Sequence, residues 1–500
     1  MKRMLAFGLM LLAAASLRAQ EAPPPEIAAA LPVVDGLFET YMRDAHVPGL
    51  VYGIVADGRL VYVKSLGVQD LARKRPVTPD TLFRIASMTK AFTALSVLGL
   101  RDRGKLALDA AAETYVPEMR GWTYPTGDSP RIRVRDLLHH TAGFVTDDPW
   151  GDRQQVLPEA EFTRLLRAGV PFTRPPGTAF EYSNLGYAIL GRIVANVSGQ
   201  PYAAHVERAL LRPLGMSSTG YEVGESPIER RAIGYRWEND RWTEEPTMRH
   251  GAFGAMGGLQ TSANDYARYV AWLLSAWPAR DGPETGPIKR STVREMAQGS
   301  NFASSRQRFG RSGAAACRLA SAYGMGVNAA ADCDLGLTLF HGGGYPGYGS
   351  HMLLLPDHGV GVFAFANRTY AGPSAPVWDA AVALHRAGAL RGRPTAVSAS
   401  LAAAYRAAGA MYAAGDVDPG RDRLAMNFLM DRSAENWRAE FARLKARVGD
   451  CDTAAPVEAT GALSGRFSWR CDRGRIDGQL LLAPTAPAGI QALRLNLPTP

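Results

Sequence analysis

The chain has 500 residues, 46% of them hydrophobic and 21% charged, with a formal net charge of +9. That length exceeds what one hydrophobic core organises and predicts two or three domains, while the composition is that of a soluble globular protein. The arginines are spread along the chain rather than clustered, which argues against nucleic-acid recognition, and no apolar stretch is long enough for a membrane helix.

Met1-Lys2-Arg3, the apolar run Met4 to Ala15 and Ser16-Leu17-Arg18-Ala19 have the layout of a secretory signal, so residues 1–19 are read as a leader and the protein as exported, periplasmic or secreted. After Pro23-Pro24-Pro25, Val33 to Met42 reads as an amphipathic helix with Pro32 near its start. Leu50 to Val55 and Leu60 to Lys64 flank Asp57-Gly58, a hairpin signal. Arg84 to Leu100 has apolar positions at helical spacing. Residues 106–240 look mainly helical, with Tyr187 to Val197 and Tyr202 to Leu211 as candidate helices.

Strand patterns return at Ser321 to Val327, Leu335 to His341, His351 to Leu355 and Val360 to Asn367, and Trp378 to Ala389 closes the region as a helix. The expected fold class is α/β (α+β): an antiparallel sheet flanked by helices, its core formed by 27–105 and 241–395 and interrupted by a helical insertion at 106–240. Residues 391–400 read as a linker. Residues 401–500 read as a small α+β domain, a helix carrying Trp437, Phe441, Leu444 and Val448 on three antiparallel strands. Cys317, Cys333, Cys451 and Cys471 form an even set in an exported chain without C-x-x-C spacing, which favours disulfides over a metal site. Proximity pairs Cys317 with Cys333 and Cys451 with Cys471.

Three short motifs carry chemistry. Ser87-Met88-Thr89-Lys90 sits at the start of a helical pattern, and residues three apart share a helix face, so an amine there can activate the hydroxyl. In Tyr182-Ser183-Asn184, a phenol near an ammonium can act as a general base, and the amide offers both a donor and an acceptor. In His341-Gly342-Gly343-Gly344, glycines permit close backbone approach and offer an N–H to an oxyanion. Gly342, Gly344 and Gly347 also fit a dinucleotide fingerprint, which is rejected because a strand pattern follows instead of a helix. No metal-ligand spacing of the H-E-x-x-H type and no G-x-S-x-G occurs.

Taken together, S-x-x-K, Y-x-N and the H-x-G segment resemble the signature of the serine penicillin-recognising enzymes: class C β-lactamases and their D,D-carboxypeptidase, D-aminopeptidase and esterase relatives. The resemblance extends over most of Leu31 to Leu390 and includes Leu137 to Gly143, Gly257 to Ser262 with Asp265, and an ungapped match from His341 to Tyr370. It implies that Ser87 is the nucleophile and that Lys90 and Tyr182 are its proton-transfer pair. Asn184, His341, Gly343 and Gly344 would bind substrate, and the backbone N–H groups of Ser87 and Gly344 would form the oxyanion hole. No cofactor or metal is implied.

The chain departs from class C enzymes in carrying His341 where they have lysine, and Gly372 and Ala375 where they have an Asn and an Arg that help hold a substrate carboxylate. The expected function is hydrolysis through a Ser87 ester, acting on small esters or on amides with D-amino-acid character, with cell-wall contact among the expected partners. A β-lactamase is the alternative within the same chemistry, and a non-catalytic cell-wall peptide-binding protein is the alternative outside it. A histidine of ordinary pKa, ~6.5, leads to one further expectation. Carboxylate-bearing substrates should weaken as pH rises through that value.

Overall fold

The computed structural model describes residues 22–146, 151–308 and 317–498; the leader reading at 1–19 lies outside them. The chain divides into two compact units, 1–275 with 285–391, and 276–284 with 392–500.

The first unit begins with α1 (Pro25–Asp44), longer than the sequence suggested because Pro32 lies inside it. Ile27, Ala30, Val34 and Phe38 recur at helical spacing and are buried. Pro32 and Ala28 lie on the exposed side, so the carbonyl that proline leaves without a helical donor faces water. β1 (Gly49–Ala56) and β2 (Arg59–Asp70) form the expected hairpin, with Asp57 and Gly58 at φ 51° and 73°, as a two-residue type I′ turn requires. β3 (Arg75–Pro76) pairs with β2. α2 (Thr89–Asp102) and α3 (Asn184–Ser198) follow. Ser183 caps α3, its hydroxyl accepting from the Gly186 N–H, and Gly199 closes it at φ 69°. Next come α4 (Ala263–Leu274) and the strands β4 (Asn301–Gln307), β5 (Arg318–Tyr323), β6 (Asn328–Asp332), β7 (Gly336–Tyr345), β8 (Tyr348–Leu355) and β9 (Val360–Ala366), then α5 (Ser374–Arg386).

The nine strands form one sheet in the order β3-β2-β1-β9-β8-β7-β6-β5-β4, and each neighbouring pair is antiparallel. β1 and β9 are buried at every position because both sheet faces are covered. On one face, residues of α1 and α5 such as Phe38 and Trp378 share a core with Leu50, Tyr52, Leu353 and Val362. On the other, Tyr266 of α4 packs on Phe363 and Phe365, with ring centroids 5.2 and 5.3 Å away. The single strand expected at Ser321 to Val327 is instead the end of β5 followed by a turn. Gly326 takes φ 79° and the Gly324 N–H bonds the Val327 carbonyl, reversing the chain into β6. A disulfide joins Cys317, just before β5, to Cys333, just after β6, and so closes the open end of this hairpin.

The second unit contains α6 (Ala399–Ala414) and α7 (Ala434–Val448), capped by the Ser398 and Ser433 hydroxyls. A sheet of four strands follows: β10 (Glu458–Gly461), β11 (Ser464–Cys471), β12 (Gly474–Leu482) and β13 (Ile490–Asn496), in chain order. The sequence had suggested one helix on three strands. β11 alternates buried and exposed positions, the pattern of a sheet with one wet face. Its inner residues Phe467 and Trp469 meet Tyr405, Phe441 and Leu444 in one core, and a second disulfide links Cys451 to Cys471. Among the described residues no helix is long and apolar enough to cross a membrane.

Candidate active site

Ser87 lies in a 3-10 turn, Ala86–Met88, that feeds directly into α2. Ala86 takes φ 48°, a left-handed backbone that costs a non-glycine residue about 1 kcal/mol or more. The surroundings hold it there. The Ile85 N–H donates to the Leu259 carbonyl at 3.1 Å, and the Ile85 carbonyl accepts from Ser350 Oγ of β8 at 2.8 Å. β7 crosses so close to this turn that a Cβ on Gly343 would lie 2.3 Å from the Ile85 carbonyl oxygen and 2.2 Å from Ser350 Oγ. The glycine at 343 therefore admits the nucleophile turn, whereas the sequence had suggested that it admits substrate.

Lys90, one helical turn on, is fully buried. Its Nζ donates to Ser87 Oγ at 3.2 Å, Asn184 Oδ1 at 2.8 Å and the Met256 carbonyl at 2.8 Å, three acceptors for the three protons of an ammonium. Asn184 opens α3, which brings the second motif to the first. Met256 lies in a short helix, Gly254–Gly257. Its neighbour Ala255 offers a carbonyl to Thr93 Oγ1 of α2 at 2.6 Å, and Thr93 in turn bonds the Tyr202 hydroxyl at 2.7 Å. These bonds hold the segment that supplies the Met256 carbonyl.

Tyr182 is half-buried, and its ring centre lies 4.8 Å from Lys90 Nζ and 6.3 Å from the His341 ring. Behind it stands His140, buried and 4.3 Å from the Tyr182 ring, whose Nδ1 accepts the Ser183 N–H at 3.1 Å. Burial and the charge of Lys90 hold the pKa of His140 well below the usual histidine range, so it serves as a neutral acceptor that orients the Tyr182–Asn184 segment.

His341 is 4% exposed. Its Nδ1–H donates to the Gly342 carbonyl at 2.6 Å, and its Nε2 accepts from the Tyr323 hydroxyl at 3.0 Å. Both ring nitrogens are thus engaged by the protein. Burial and the nearby Lys90 charge press the pKa down to about 4. The expectation of a histidine titrating near 6.5 is corrected: across the neutral range this position carries no charge.

β6 pairs with β7 only at residues 336–340, whereas β8 pairs with 339–345. Among the described residues, the His341–Tyr345 end of β7 therefore has a strand partner on one side alone. Gly344 sits in that segment opposite Gly349, on the strand face opposite to Gly343. A Cβ there would lie 2.8 Å from the Tyr370 ring.

The structure thus brings Ser87, Lys90, Tyr182, Asn184, His341 and Gly343 together around one turn, with Gly344 on the adjoining strand end. Sequence reasoning missed the Met256 carbonyl, Tyr323 and His140. A backbone carbonyl and a tyrosine within a strand leave no signal. His140 lies in the Leu137–Gly143 segment that the resemblance includes.

A family model described as Beta-lactamase matches residues 34–387. Protein flp of Staphylococcus aureus (strain COL) is 28% identical over 342 residues, covering 67% of this chain and 62% of the relative. Esterase EstB of Burkholderia gladioli is 34% identical over 230 residues, covering 44% of this chain and 57% of the relative. The chain thus matches less than two thirds of the length of either. Among solved structures, the octameric penicillin-binding protein homologue from Pyrococcus abyssi is 21% identical with a TM-score of 0.58, covering 91% of this chain and 96% of that one. A class C beta-lactamase is 22% identical with a TM-score of 0.57, covering 75% and 100%. The structural likenesses establish the fold, and with a family match across residues 34–387 the chain belongs to the Beta-lactamase family.

Proposed function

We propose that this protein hydrolyses small esters, or amides with D-amino-acid character, through an acyl-enzyme on Ser87. The reading rests on Lys90 Nζ, held 3.2 Å from Ser87 Oγ by Asn184 and the Met256 carbonyl. In the reaction Ser87 Oγ attacks the substrate carbonyl, and its proton passes through the Lys90–Tyr182 pair to the leaving group. The oxyanion is met by the Ser87 and Gly344 N–H groups. Water then attacks the ester, its proton returning by the same pair to Ser87.

The neutral, fully engaged His341 favours substrates without a carboxylate beside the third motif, and the absence of side-chain donors at Gly372 and Ala375 points the same way. Similarity to a relative named as an esterase supports esters as the first class to test. β-Lactam hydrolysis is the second reading, supported by the fold shared with a class C beta-lactamase.

Intact-mass spectrometry after mixing with p-nitrophenyl esters, D-alanyl peptides and nitrocefin tests the proposal. An acyl adduct confined to Ser87, absent in Ser87→Ala and turned over most rapidly for the neutral esters, is the expected result. Binding of the D-alanyl peptide with no adduct from any substrate would instead identify a non-catalytic peptide-binding protein.

A further inference from the structure

At the opposite ends of α2 and α3 lies a pocket of about 360 Å³ whose walls include Arg103, Lys105, Arg208, His205 and Ser198. Fourteen residues of helix separate it from Ser87's end of α2, a distance of about 20 Å. No carboxylate lines it. Arg103, Lys105 and Arg208 are exposed, and none has an ion-pair partner among the described residues.

His205 is different in kind. It is 2% exposed, and both of its ring nitrogens are buried without a hydrogen-bond partner. Buried polar atoms are rarely left unmatched, and a ring in a pocket wall with both nitrogens unmatched calls for partners from outside the chain, whether water, ion or ligand. The chain continues from His205 into a π-helical turn, Glu207–Leu211, that carries Arg208; such turns are frequent at functional sites. Cations at a helix C-terminus offset its dipole, which accounts for Arg103 and Lys105 beyond α2. It does not account for Arg208 or for a buried ring with two unmatched nitrogens.

We propose that this pocket binds a phosphoryl group, as free phosphate or as a phosphomonoester. Three cations with no carboxylate among them exceed what a two-oxygen carboxylate engages, whereas a tetrahedral dianion offers an oxygen to each. The pocket volume, at the low end for ligand sites, suits a small anion with a short substituent. Burial and the charges of Arg103 and Arg208 push the pKa of His205 down to about 4, a repulsion that a bound oxyanion relieves.

Calorimetric titration of the full chain at low ionic strength, with inorganic phosphate in one arm and glycerol 3-phosphate in the other, tests this. Saturable binding of one equivalent in at least one arm is expected, and the stronger arm distinguishes free phosphate from a phosphomonoester. Arg103→Gln and Arg208→Gln, both exposed substitutions, should each weaken it by about tenfold or more, and Ser87→Ala should leave it unchanged. In protein labelled with nitrogen-15 at histidine, the ring signals of His205 should move on titration. Lack of saturable binding in both arms, equal affinity in the arginine variants, or loss of binding in Ser87→Ala would each overturn the proposal.

Discussion

α2 and α3 carry a polar cluster at each end, and the two clusters are built on opposite terms. At the N-terminal ends, one buried lysine finds three acceptors within 3.2 Å. At the C-terminal ends, three exposed cations and a buried imidazole find neither ion-pair nor side-chain hydrogen-bond partners among the described residues. A saturated cluster fixes geometry, since moving any member leaves a buried group unmatched. An unsaturated one leaves bonding capacity for something from outside. The same residue types thus serve positioning in one place and recognition in the other, and the distinction lies in their partners.

Breaking the saturated end should have the largest effect. Lys90→Met removes the ammonium that donates to Asn184 Oδ1 and the Met256 carbonyl while keeping most of the side-chain volume. Ester kcat should fall about 10²- to 10⁴-fold, and stability should change by no more than about 1–3 kcal/mol. Steady-state rates alongside thermal melts would check both, and activity within about threefold of the wild type would show that the saturated cluster is structural only. Gly343→Ala probes the packing beneath it. The new methyl would overlap Ile85 and Ser350, so denaturant titration should show a loss of about 1–3 kcal/mol, with a parallel loss of acylation rate as the Ser87 turn shifts.

Acidification tests the neutral His341. Its folded pKa of about 4 lies below the ordinary value of 6.5, so between these the unfolded chain binds more protons. Its contribution is complete above about pH 6.5, declines as pH falls, and is lost below about 4, amounting to about 3 kcal/mol. Denaturation of wild type and His341→Gln at pH 7 and pH 4.5 should show the difference narrowing at the lower pH. In the same range of reasoning, kcat/KM for neutral and carboxylate-bearing esters should keep a constant ratio between about pH 5.5 and 8. A carboxylate-to-neutral ratio that falls as pH rises would mean a charged His341. The smallest effect belongs to the unsaturated end. Without phosphate, Arg103→Gln should change stability by no more than about 0.5 kcal/mol and leave ester turnover unaltered.

The contrast between these clusters also explains what could be read from the chain alone. Ser87 and Lys90 are close in sequence, and a helix brings them together by its pitch; Tyr182 and Asn184 were legible because a family pattern repeats them. Tyr323 and the Met256 carbonyl reach the site through tertiary packing, with nothing in their local sequence to mark them. The neutrality of His341 is likewise a property of its surroundings, since the same residue in water would titrate near 6.5. In the fold, β1 and β9 stood out as continuous apolar runs. β4, polar along most of its length, did not. α6 was missed because alanines occupy its exposed as well as its buried face, as at Ala410 and Ala413 beside Ala404 and Ala408.

The one-sided end of β7 has a consequence for life at high concentration. A strand with a bare edge invites pairing with another molecule, the first step of aggregation. Here the unpaired stretch is short and contains three successive glycines, Gly342, Gly343 and Gly344. Glycine is the residue that gains least from extended order, having no side chain to pack and the most chain freedom to surrender. The open edge is thus composed of residues that make a poor template for pairing, which leaves it accessible without making it sticky.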